Sequence, residues 1–120
     1  MFMLTSPKLL LHLEGLIVLA AAMVFYHELG DSWLKFAVFF FVPDIFMAGY
    51  LFGIKAGAMV YNIGHTYAAP FLLWLVAYFA HIPSVFFVCV IWVAHIGFDR
   101  LLGYGLKYPT AFKDTHLGKV

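Results

Sequence analysis

Four apolar runs of membrane-crossing length leave this chain few folds to choose from. A helix rises about 1.5 Å per residue and needs about 20 mostly apolar residues to cross the hydrocarbon core. The runs at 8–29, 33–53, 56–80 and 84–106 all reach that length. Between them stand short breakers: Gly30-Asp31-Ser32, the stretch from Gly53 to Gly57, and His81-Ile82-Pro83. Links this brief make neighbouring helices run antiparallel. The expectation is an all-α integral membrane protein, an antiparallel four-transmembrane-helix bundle forming a single domain over 1–120, with a cytoplasmic tail at 107–120.

Composition removes the competing classes. The 120 residues are 65% hydrophobic and only 11% charged, against about 25% charged in a soluble domain. A chain this short leaves much of its area exposed, so no water-soluble fold would hide that apolar surface. Net charge is +1 with no basic run, which excludes nucleic acid as a partner and leaves the lipid bilayer. The single Cys89 excludes an internal disulfide. Lys8 and Ala20-Ala21-Ala22 resemble parts of a signal peptide, but Glu14 interrupts the apolar stretch, which continues through Phe25, so the first run reads as a retained helix. Of the seven Lys and Arg, only Lys35 lies on the side away from the termini. The excess of basic residues places both termini in the cytoplasm.

Each run also carries polar residues that lipid does not tolerate cheaply. Counted from the nearest lysine, Glu14 lies about 9 Å deep, Asn62 about 10 Å and Asp99 about 12 Å. On the same scale His65 lies at about 15 Å, Asp44 at about 16 Å and His95 at about 18 Å. All six therefore fall in one slab in the cytoplasmic half. His95 and Asp99 are four apart and share a helix face, as do Asn62 and His65, three apart. An intramembrane charge costs a few kcal/mol unless it is paired inside the bundle, so these faces turn inward. Arg100 is expected to point away and snorkel to the headgroups. Pro43 would free the carbonyl of Phe39, and Pro70 that of Thr66. Gly49, Gly53 and Gly57 form a GxxxGxxxG series suited to tight packing.

Three uses of the slab are open. Its residues would hold helices together as interhelical contacts. They would bind a divalent metal (Zn, Mn or Fe) through Asp44, His65, His95 and Asp99, with Asn62 supporting a ligand from behind and Glu14 as the base for an activated water. Or they would line a path for protons, ions or a small metabolite in a homo-oligomer, since four spans are few for a carrier. His12, His27, His81 and His116 sit near interfaces or in the tail, where solvated histidines are ordinary. Asp114 and His116 belong to that tail, expected to lie on the surface.

The blocks YNIGHTY and WVAHIGFDRLLGYGLKYPTAFKDTHLG resemble a family of small bacterial integral membrane proteins classed only as a domain of unknown function. That resemblance covers nearly the whole chain and implies four spans without an assigned activity. VPDIF, NIGHTY and AHIGFD also stand in the order of the Pro-Asp, Thr-His and His-x-x-x-Asp elements of inner-membrane metal-dependent hydrolases related to zinc-dependent phospholipase C. Ile45 and Phe46 replace the acidic-His pair that follows Pro-Asp there. This looser similarity implies a bacterial inner-membrane enzyme that hydrolyses a phosphoester or lipid-like substrate, with Asp44, His65, His95 and Asp99 at the matching positions.

Overall fold

The computed structural model describes residues 6–106, and of Phe46 the backbone alone. The tail at 107–120, with Asp114 and His116, lies outside the described residues. Among these residues every regular element is helical: α1 Pro7–Leu29, α2 Trp33–Phe39, a 3-10 segment Val42–Phe52, α3 Ile54–Gly64, α4 Ala68–Phe79, a 3-10 turn Pro83–Val85 and α5 Phe86–Leu102. The Ser6 hydroxyl accepts from the Leu9 N–H at 3.3 Å and Pro7 opens the helix, a start that satisfies an orphan donor and uses a residue lacking one. Ser32 caps α2 in the same way, accepting from the Leu34 N–H at 3.1 Å. The Ser32 N–H, then the Lys35 ammonium, hold the Asp31 carboxyl below the usual carboxylate range in that turn.

Among the described residues three helices are long and apolar enough to cross a membrane: Pro7–Leu29, the combined stretch Trp33–Phe52, and Pro83–Leu102. Ile17, Leu34, Leu51 and Phe52 on them stand largely exposed. Such apolar surface is foreign to a soluble monomer and ordinary against lipid, and the chain is a membrane protein.

The run expected as one helix at 56–80 is broken at 65–67 into α3 and α4. Pro70 explains the break. Inside a continuous helix it would lack an N–H and clash with the carbonyl of Thr66; restarting at Ala68 moves it into the first turn of α4, where that donor is not needed. The 12 residues of α4 rise about 18 Å, too little to cross alone.

The core forms where α1 meets α5, around Ala22, Tyr26, Val90, Ile91 and Ala94. The two backbones touch. A methyl group added at Gly15 would stand 2.7 Å from the Gly97 carbonyl oxygen, and one added at Gly97 would stand 2.9 Å from that of Gly15. Tyr26 closes one end of the core against Trp33 and Phe36, its hydroxyl donating to the Ser32 carbonyl. The GxxxGxxxG series packs the chain on itself. Gly53, at φ +114°, makes the turn that folds α3 back on the 3-10 segment, bringing Gly49 against Val60 and Gly57 against Tyr50.

Candidate metal centre

Asp44 comes from the first turn of the 3-10 segment, His65 from the residue that ends α3, and His95 and Asp99 from one face of α5. Proline chemistry positions the first of these walls. In a 3-10 ladder the residue that would reach the Phe40 carbonyl is Pro43, which has no N–H; the Asp44 N–H goes to Phe41 instead, at 3.0 Å. The Phe40 carbonyl is thereby left to His95 Nδ1, at 2.6 Å. The carbonyl that His95 takes is that of Phe40, one residue on from the Phe39 carbonyl singled out in the sequence, because the chain tightens from α to 3-10 geometry there.

His65 is held by a similar substitution of bonds. Its own N–H bonds to the Asn62 carbonyl at 3.2 Å, and the Tyr61 carbonyl accepts from its ring Nδ1 at 2.9 Å. The Tyr61 ring lies flat on the imidazole, centroids 3.8 Å apart and 5° from parallel. The other carbonyls at this helix end are met from α5: Trp92 Nε1 donates to Gly64 at 2.6 Å and Arg100 Nη2 to His65 at 3.0 Å. Thr66, whose carbonyl Pro70 was expected to free, accepts from the Ala69 N–H at 3.3 Å.

A carbonyl only accepts, so both Nδ1 atoms carry hydrogen and both Nε2 atoms turn to the carboxylates. His65 Nε2 lies 3.3 Å from Asp44 and 3.7 Å from Asp99; His95 Nε2 lies 3.2 Å from each. These separations bracket the edge of about 3.4 Å that a tetrahedron has when its centre lies about 2.1 Å from each vertex, the range of metal bonds to imidazole and carboxylate. No pair of ligand atoms in the group is more than 4.8 Å apart. His95 Nε2 is buried yet makes no hydrogen bond of normal geometry. The side chains of His65, His95 and Asp99 are 1%, 3% and 15% exposed, while that of Asp44 is 41% exposed, so the group has one open flank.

Of the residues singled out in the sequence, the fold gathers these four. Asn62 stands one turn before His65 with its side chain half-buried. Glu14 is exposed on α1 and outside the group. It neighbours Gly15, which faces α5, and a step of about 100° round the helix carries it off that contact. Arg100 does not snorkel: it is 7% exposed, packed against Gly15 and bonded to the His65 carbonyl. Its spacing of three from Gly97 was the available signal, since that spacing puts it on the face that meets α1.

A family model described as "Domain of unknown function (DUF4260)" matches residues 8–120. The chain belongs to the DUF4260 family. This agrees with the expected membership of a family classed as a domain of unknown function. No curated protein and no solved structure matches this DUF4260 chain.

Proposed function

We propose that this DUF4260 chain binds one divalent cation, Zn, Mn or Fe, through Asp44, His65, His95 and Asp99 inside a bacterial inner-membrane bundle. One observation carries the reading: both imidazoles are pinned through Nδ1 to backbone carbonyls, so both Nε2 atoms face two carboxylates at 3.2–3.7 Å. With both imidazoles neutral, Nε2 lone pairs set against carboxylate oxygens would repel. A shared cation turns that repulsion into coordination, and pinning the far ring nitrogen is how proteins orient metal-bound histidines. The chain is one domain whose broken α3–α4 stretch serves as the fourth span, with both termini cytoplasmic.

The open flank at Asp44 supports a hydrolytic use, with a phosphoester or lipid-like substrate entering there. A bound divalent ion would supply Lewis-acid chemistry. Metal analysis of purified protein beside His95→Ala and Asp99→Ala tests the reading. The expectation is one metal per chain in the wild type and loss of most of it in both variants. Sub-stoichiometric metal in all three overturns it. If the variants then only melt earlier, the group is an interhelical contact; pH-dependent flux in liposomes that is lost in Asp44→Asn would make it a carrier path.

A further inference from the structure

Beside the four ligands stands a second pair of groups that the metal does not use. Arg100 is 7% exposed and makes no ion pair with a carboxylate among the described residues. Two of the five N–H groups of a guanidinium are engaged, Nη2 by the His65 carbonyl and Nη1 by the Tyr104 carbonyl at 3.3 Å. Its guanidinium carbon stands 5.8 Å from the centre of the Tyr67 ring. The Tyr67 hydroxyl is itself buried and has no hydrogen-bond partner among the described residues. Native proteins rarely leave such a donor unmet, and the exceptions call for a ligand or a function.

Charge points the same way. Two carboxylates and two neutral imidazoles around a divalent cation sum to zero, which leaves the buried Arg100 charge unbalanced. Guanidinium presents its free N–H groups in a fork that matches phosphate oxygens. Arg100 lies in the last turn of α5, the level of lipid headgroups if α5 crosses the bilayer. Glu14 and Asp99 are the charges that oppose an anion there, since both, like Arg100, act on the Tyr67 hydroxyl; the metal would offset Asp99. Being exposed, Glu14 is free to swing away.

We infer that Arg100 and Tyr67 form a subsite for a phosphate oxyanion next to the metal group. The charge balance rests on the proposed metal; the buried Arg100 and the unmet hydroxyl stand without it. The test uses full-length protein in nonionic detergent, titrated with inorganic phosphate by calorimetry. A parallel arm measures retention of phosphatidic acid against diacylglycerol by native mass spectrometry. Saturable binding is expected in at least one arm. Tyr67→Phe should weaken it about tenfold, the worth of one hydrogen bond to a charged group, with metal content unchanged and melting unchanged or higher, because that hydroxyl has no partner among the described residues to lose. Arg100→Lys should weaken it at least as much, and Glu14→Gln should tighten it. Binding of phosphatidic acid alone assigns a lipid headgroup; binding of inorganic phosphate assigns a soluble ligand. No saturable binding in either arm, or binding indifferent to both Tyr67→Phe and Arg100→Lys, overturns the inference. Binding by metal-free protein that still falls in Tyr67→Phe keeps the subsite and discards only the metal; bound metal without either ligand discards only the subsite.

Discussion

At the scale of single residues, the candidate centre depends as much on a missing N–H as on its four ligands. Pro43 withholds the donor that would otherwise reach Phe40, and His95 takes that carbonyl. Pro43→Ala restores a competing donor without touching a ligand. Metal affinity is expected to fall roughly tenfold or more, the usual effect of losing an orienting partner, with helix content by circular dichroism unchanged. Unaltered affinity would mean that the Phe40 carbonyl does not orient the ring. The convergence of Asp44, His65, His95 and Asp99 was legible in the sequence because spacing fixes a shared face and counting residues fixes depth. The carbonyls of Phe40, Tyr61 and Gly64 were not, since a backbone oxygen carries no letter. Glu14 stands outside the four-residue group for a related reason: depth gives a residue's height on a helix and says nothing of its azimuth, which Gly15 sets by packing on α5.

Between elements, the contact of α1 with α5 is the one that small residues decide. A methyl group at Gly97 would meet the Gly15 oxygen and the Leu19 nitrogen, both at 2.9 Å, and neither backbone atom yields as a flexible side chain would. Gly97→Ala is therefore expected to destabilise the protein by about 1–3 kcal/mol in detergent unfolding. Leu51→Ala, on an exposed apolar face, should change it by no more than about 0.5 kcal/mol. Equal effects would mean that the close approach contributes little. Three of the expected spans, 8–29, 33–53 and 84–106, correspond to the membrane-length helices within a few residues, because long uninterrupted apolar runs admit few alternatives. The GxxxGxxxG series does pack tightly, as its small residues suggested, but across a turn the spacing could not show: Gly53 reverses the chain, and Gly49 and Gly57 meet Val60 and Tyr50 on the two sides of it. The same limit hid the break at 65–67, where Pro70 was visible but the groups able to receive the broken end lay far away in sequence.

For the molecule as a whole, the α3–α4 stretch decides how many times the chain crosses the bilayer, and parity turns that into a sharp question. If α4 does not cross, the three long helices put the two ends on opposite faces. If α3 and α4 cross together as one broken span, the ends share a face. Irregular backbone survives at membrane depth only where protein meets its polar groups, and here Trp92, Arg100 and the Ala69 N–H meet the carbonyls of Gly64, His65 and Thr66. Ile63, Leu72, Val76 and Phe79 on the two halves stand exposed, as lipid-facing residues do. Lys55 and Arg100 would then both lie on the cytoplasmic side, in keeping with the bias of basic residues. Single cysteines at Ser6→Cys, Asp31→Cys, His81→Cys and Tyr104→Cys, in a Cys89→Ala background, read the arrangement directly. An impermeant thiol reagent added outside intact cells should label positions 31 and 81 and spare 6 and 104. Position 81 is the discriminating one, since it reaches the outer face only if the broken stretch crosses. Labelling at 104 with protection at 81 would establish three crossings and place α4 on the cytoplasmic side, leaving His65 in a re-entrant segment rather than a span.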